Sequence, residues 1–210
     1  ALGITAPIHL TTTKVSDQLL EGVSLKKRIK LETLTFIARV EKEKGIYIAL
    51  DAFALLNKKN PNLKFNIVGR GYELPKIEVY IKNKNISNVV LTGPLYNEDL
   101  KNAFKNADIF LFPSHHHEGM PNSVLEAMAF GLPVITRPVG GLVDFFENDK
   151  MGYMIESLNP QDYADKIEYL INNIDKANEM AAHNWNYARK HFLASKVAVE
   201  LENMILSVTK

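Results

Sequence analysis

Cysteine is absent from this chain of 210 residues, which excludes disulfide bonds, thiolate nucleophiles and cysteine-ligated metals. No apolar run approaches the roughly 20 residues that a membrane-spanning helix needs, and no segment has the order of a secretory leader. An excess of one charge is also missing. The 25 Lys and Arg against 24 Asp and Glu leave a net charge of +1, too small to gather nucleic acid over the whole surface. There is no low-complexity block and no internal repeat. With 46% hydrophobic and 23% charged residues, the chain is long enough for one well-buried domain with extra terminal elements. A soluble, cytoplasmic protein is expected. The chain opens on Ala1 without an initiator methionine, which fits a segment of a longer protein.

What is present is an alternation of short apolar runs and helical stretches. Strands are expected near 33–38, 64–68, 88–92, 108–112, 133–136 and 152–155, and helices near 46–58, 73–84, 97–106, 122–130 and 161–173. Strands separated by helices of this length make βαβ units, hence an α/β fold with a parallel sheet and helices on both faces. Beyond Asp175 the pattern is helical, through Met180, Ala181, Trp185 and Ala188 and then Val197, Val199, Leu201, Met204 and Ile205. The one basic cluster, Lys26-Lys27-Arg28 with Lys30, lacks interleaved aromatics and reads as a solvated connector.

Between Pro113 and Gly141 the chain reads PSHHHEGMPNSVLEAMAFGLPVITRPVGG, a loop opening a helix after the apolar run at 108–112. In an open α/β sheet such a loop lies at the carboxyl ends of the strands, where ligands bind and where helix N–H groups face an anion. Ser123 and Glu126 have the spacing of a capping box, so Glu126 reads equally well as a helix cap or as a ligand contact. Glu118 reads as a ligand contact or as a solvated carboxylate favoured by the helix dipole. Arg39 and Lys44 read locally as surface cations near Glu41 and Glu43. Gly69 and Gly71 flank a turn where a missing side chain admits a ligand or a positive φ. His115, His116 and His117 are consecutive and point in different directions, so a shared metal ion is not expected. Asp144 reads as a turn or cap residue.

Taken together, these motifs resemble the group 1 (family 4) retaining glycosyltransferases. Glu118-Gly119, then Glu126-Ala-Met-Ala, Gly131-Leu-Pro-Val and Gly140-Gly141 look like that family's E-x7-E region. Phe36-Ile-Ala-Arg39, Lys44-Gly45, Ile67-Val-Gly-Arg-Gly71, Val90-Leu-Thr-Gly93 and Ala107-Asp108 precede it in the family's order, and the resemblance runs from about residue 32 to 172. It implies the second, donor-binding half of a GT-B fold, whose active site lies in a cleft between two Rossmann-like domains. The division it implies is a linker or tail of a missing N-terminal domain over 1–30, including 8–13 and Val15–Leu20. A Rossmann-like domain over 31–175 and C-terminal helices over 176–210 that pack on it follow.

The site is implied by the same resemblance. A nucleotide-diphosphate sugar is the donor, held without a metal or other cofactor. Arg39 and Lys44 face the departing phosphates. Glu126 accepts from the ribose hydroxyls, and Glu118 orients the donor sugar beside Gly119, Met120, Pro121, Asn122 and Ser123. Gly69 and Gly71 approach the donor, while Gly93 with Pro94 and Leu95 places the nucleobase, on which Tyr96 stacks or simply packs. The family often carries an acidic residue where this chain has Arg70, so that side chain takes no role from the resemblance. A two-carboxylate retaining scheme needs a second acid at about 5 Å, and none is evident, so same-face substitution is the better reading. The acceptor, a glycan or lipid-linked saccharide in surface polysaccharide or lipopolysaccharide synthesis, is bound mainly by the missing half. That leaves the isolated domain with little or no turnover. Peripheral membrane association belongs to the full-length protein. Two alternatives stay open: a nucleotide-sugar-binding module without transfer activity, and an inverting transferase or epimerase of the same fold.

Overall fold

The protein is described by a computed structural model covering residues 13–208. The six apolar runs form β1 (Thr33–Ile37), β2 (Lys64–Val68), β3 (Val89–Gly93), β4 (Ile109–Phe112), β5 (Val134–Thr136) and β6 (Gly152–Met154). They make one parallel sheet in the order β3-β2-β1-β4-β5-β6. All four residues of β4 are buried, as a central parallel strand covered on both faces requires. β3, at the edge, alternates between half-buried and exposed positions.

Seven helices complete the layers: α1 (Ile46–Asn57), α2 (Leu74–Asn83), α3 (Asn97–Asn106), α4 (Asn122–Ala129), α5 (Pro160–Asn172), α6 (Ile174–His191) and α7 (Ala194–Val208). α1 packs against α5, and α4 against α6. Phe53 of α1 lies 5.3 Å, centroid to centroid, from Phe65 of β2, and Phe104 of α3 stacks on Phe130 at 5.0 Å. Right-handed crossovers place the two groups of helices on opposite faces of the sheet. α5 begins where the sequence signals it, with the Asn159 side chain accepting from the Gln161 N–H at 3.2 Å and Pro160 in the first helical position. Among the described residues no helix is long and apolar enough to cross a membrane.

The strand order reverses between β1 and β4, and the loops leaving these strands meet there. Gly45 ends the 3-10 turn Lys42–Lys44 with φ 80°, and a Cβ on it would fall inside the Pro113 carbonyl group just past β4. Gly45→Ala is expected to cost roughly 2–4 kcal/mol through strained φ and steric overlap. Urea unfolding would measure it, and a loss below about 0.5 kcal/mol would show that the two loops are not locked together.

Two expectations about the N-terminal part are corrected. In the basic cluster Lys26, Lys27 and Lys30 are exposed as expected, but Arg28 is not solvated and is only 3% exposed. Its guanidinium donates to the Gly131 carbonyl at 3.0 Å and lies 3.5 Å from Asp108, which also receives Lys26 at 2.9 Å. Asp108 is buried at the entrance to β4, where its other oxygen accepts from the N–H groups of Glu32 and Thr33 at 3.0 and 3.1 Å. A buried carboxylate needs a counter-charge, and Arg28 supplies it. Nor do residues 15–20 run free as a linker. The Val15 N–H donates to the Phe192 carbonyl at 2.7 Å, and the Ala194 N–H to the Val15 carbonyl at 2.9 Å. The remainder of that reading, on residues 1–12, lies outside the described residues.

Candidate functional site

β4 delivers its chain into a loop whose residues meet the loop after β1. The Lys44 ammonium donates to the Glu118 carboxylate at 2.6 Å, and the Ser114 hydroxyl donates to the same oxygen at 2.8 Å. The Lys44 and Glu118 side chains are only 9% and 11% exposed, so the pair is largely shielded from water. It bridges 74 residues of sequence across the point where the strand order reverses. The expectation of a surface cation therefore fails for Lys44. It holds for Arg39, which is exposed and pairs with Glu41 at 2.9 Å.

Backbone carries the same loop on its other side. The Gly141 N–H donates to the Gly119 carbonyl at 2.7 Å. Gly140, at φ 54°, approaches so closely that a Cβ would lie 2.6 Å from the Glu118 carbonyl oxygen. The Gly140–Asp144 turn thus braces the Glu118–Met120 segment from outside, and Asp144 ends that turn. The His115 N–H donates to the Glu43 carbonyl at 2.8 Å, a further tie between the two loops. Burial, with the charge of Arg137 as a lesser cause, lowers the His115 pKa. Among the described residues no three His, Asp or Glu side chains gather to hold a metal ion.

The capping box is not formed. α4 starts at Asn122 with Pro121 as its N-cap and no side-chain cap, which leaves Ser123 inside the first turn. Pro121 supplies an extended residue without an N–H just before the helix, so the helix begins ahead of Ser123. Glu126 is consequently released from backbone duty, and its carboxylate has no hydrogen-bond or ion-pair partner among the described residues. It faces a cavity of about 510 Å³, whose walls include Tyr96, Asn97, Leu100 and Lys101 at the start of α3. Desolvation raises the Glu126 pKa to about 7.

A second, shallower cavity of about 240 Å³ shares Tyr96 and Leu100 with the first and is lined also by Arg39, Arg70, Pro94 and Leu95. The two adjoin at these shared residues as a groove whose smaller part lies at the carboxyl ends of β1, β2 and β3. Tyr96 is 63% exposed between them. Glycines predicted to approach a ligand separate into two groups. A Cβ on Gly69 or Gly71 would overlap the backbone of Ala38 or Val40, so these glycines make room for the protein's own β1 loop. Gly93 and Gly119 have open space where a Cβ would be, and face outward.

The predicted residues thus fall mainly into two places: Lys44, Glu118 and the 119–121 loop at the β1/β4 reversal, and Glu126 with Arg39, Gly69 and Leu95 along the groove. The two glutamates face different surroundings: Glu118 is paired with Lys44, and Glu126 lines the larger cavity. Sequence reading missed Ser114, whose position two residues after the β4 run was its only signal, and it missed Lys101, an ordinary surface lysine by pattern. It also missed Ser16, Gln18 and Leu19, which wall the larger cavity from outside the sheet.

A sequence model of the family described as Glycosyl transferases group 1 matches residues 22–191. The capsular polysaccharide biosynthesis glycosyltransferase CapM of Staphylococcus aureus is 31% identical over 172 residues, covering 80% of this chain and 44% of CapM. The chain therefore spans less than half the length of that relative. Among solved structures, the pneumococcal O-GlcNAc transferase GtfA in complex with UDP and GlcNAc superimposes with a TM-score of 0.76 at 25% identity, over 89% of this chain and 38% of that one. A point mutant of Staphylococcus aureus TarM, in complex with Fondaparinux, alpha-GlcNAc-glycerol and UDP, superimposes with a TM-score of 0.75 at 28% identity, over 86% and 36%.

Proposed function

The chain belongs to the group 1 glycosyltransferases, and from that we propose that it is the donor-binding half of a retaining enzyme that transfers a hexose from a nucleotide-diphosphate sugar. The observation that carries this reading is the shielded Lys44–Glu118 pair beside an unpartnered Glu126, all at the carboxyl ends of the strands. UDP in the GtfA and TarM complexes supports a nucleotide in the groove.

Lys44 brings a positive charge to the β1/β4 reversal, preorganised by Glu118, which Ser114 holds in turn. A diphosphate leaving group concentrates negative charge, and a fixed ammonium stabilises it most as the bond to the sugar breaks. Arg39 and Arg70 line the shallower cavity and add positive field. Glu126 receives the vicinal ribose hydroxyls, with Tyr96 and Leu95 beside the base. Glu118 has its Oε1 committed to Lys44 and Ser114, so it orients sugar hydroxyls with its other oxygen and is a poor nucleophile. Transfer then proceeds on one face. The C1–O bond to the phosphate breaks, the acceptor oxygen bonds to C1 from the same side, and the acceptor's proton passes to the departing phosphate oxygen. No metal ion is required by this arrangement. The N-terminal domain supplies most of the acceptor site. CapM's role in capsular polysaccharide synthesis favours a glycan or lipid-linked acceptor in a cytoplasmic surface-polysaccharide pathway. The functional division in this reading is a donor domain over 31–175 with C-terminal helices over 176–210 that pack on it.

Calorimetric titration with UDP, GDP, UDP-glucose and GDP-mannose tests the reading. Selective binding of one nucleotide family is expected. Failure of all four to bind would instead favour a groove completed only by the N-terminal domain, or a non-catalytic module, and would remove the proposal for this chain alone.

A further inference from the structure

We propose that Gln18 is a specificity-determining residue of the nucleotide pocket, its carboxamide contacting the nucleoside held by Glu126 and Tyr96. This rests on the nucleotide reading above. The larger cavity has two kinds of wall. Tyr96, Asn97, Leu100 and Glu126 come from the region matched by the family, residues 22–191, whereas Ser16, Gln18 and Leu19 lie outside it. One side of the pocket therefore comes from the sheet-bearing region and the other from the segment that precedes it.

The N-terminal wall is firmly placed. The Asp17 carboxylate accepts from the Ser195 N–H at 2.9 Å and from its hydroxyl at 2.7 Å, capping the first turn of α7. Those hydrogen bonds hold the Asp17 pKa below the usual range. Val15 is hydrogen-bonded on both sides to the α6–α7 junction, and Leu20 closes the 3-10 turn Gln18–Leu20 by entering the core. Gln18 projects from this fixed turn. Its side chain is exposed and has no hydrogen-bond partner among the described residues, so both its C=O and its NH₂ are available. Lys101, across the cavity, is already engaged by Glu98 at 2.9 Å. A carboxamide presents a donor and an acceptor side by side, which matches the amide edge of a nucleobase or a ribose hydroxyl. A diphosphate has no donor to offer it. Asp17 acts through Gln18 and is a positioning residue.

Wild type, Gln18→Ala, Asp17→Ala and Asp17→Asn would be titrated with UDP, GDP and inorganic pyrophosphate. Gln18→Ala is expected to weaken the preferred nucleotide about fivefold, the size of one or two neutral hydrogen bonds, and to change the UDP-to-GDP affinity ratio. Pyrophosphate affinity should stay unchanged. Asp17→Ala should move the ratio in the same direction, and Asp17→Asn should largely restore it, because its carbonyl oxygen still accepts from the Ser195 N–H. Unchanged UDP and GDP affinities in Gln18→Ala, with wild type binding either, would overturn the role of Gln18 alone. Equal loss of pyrophosphate would overturn it too, by showing a general disturbance. A wild-type chain that binds neither nucleotide would overturn both this inference and the nucleotide reading beneath it.

Discussion

Lys44→Ala is expected to weaken binding of a nucleoside diphosphate roughly 30- to 150-fold, the equivalent of one charge-assisted contact worth about 2–3 kcal/mol. A second effect on stability is expected, because Lys44 is also the counter-charge of Glu118. With the ammonium removed, a carboxylate only 11% exposed keeps the Ser114 hydroxyl as its one remaining partner among the described residues. Breaking a shielded pair in this way costs about 3 kcal/mol, far more than the pair itself contributes relative to two neutral groups. Adding Glu118→Gln to Lys44→Ala should therefore recover most of the stability and none of the binding. Urea unfolding and calorimetry on the two singles and the double would separate the effects. Nucleotide affinity retained in Lys44→Ala would place the phosphates elsewhere. A stability loss near zero would mean that the pair is solvated after all.

Glu126 predicts a dependence on pH. Its pKa rises from 4.5 to about 7 through desolvation, a difference worth up to about 3 kcal/mol. Between these values the folded protein holds a proton that the unfolded chain has released, so stability falls as pH rises through this window. Below about pH 4.5 both states are protonated and the contribution is fully present. Above about 7 it is lost, and a buried carboxylate remains without a partner. Glu126→Gln should match wild type in stability near pH 4.5 and exceed it by up to about 3 kcal/mol at pH 8. The same substitution should weaken nucleotide binding about tenfold, since ribose hydroxyls donate best to the ionised group. Ligand binding should accordingly release a proton near neutral pH and tighten as pH rises towards 8. Unfolding curves at the two pH values and calorimetry in buffers of different ionisation enthalpy would check both. Parallel stability profiles for wild type and Glu126→Gln would show that Glu126 reaches water freely.

Glu126 also shows how far local pattern reaches. The spacing of Ser123 and Glu126 satisfies a capping box, and the spacing alone does not say that the N-cap will fall two residues earlier, at Pro121. Once it does, a residue with the composition of a cap becomes a lone acid in a cavity. Lys44 departs from expectation for a related reason. Its sequence neighbours, Glu41 and Glu43, are natural surface partners, but the partner it takes is 74 residues away.

The six strands, the first five helices, the parallel sheet and the family were all legible in the chain of letters. Each is written in contiguous residues: the period of apolar positions, Pro and Gly at boundaries, and short motifs in a set order. The burial of Arg28 against Asp108, the coupling of Lys44 to Glu118, the freedom of Glu126 and the docking of residues 15–20 beside α7 emerged only from the folded arrangement. These are encounters between distant segments. Whether a charge is solvated, paired or stranded depends on what the fold brings within a few ångströms of it, and no local pattern carries that distance.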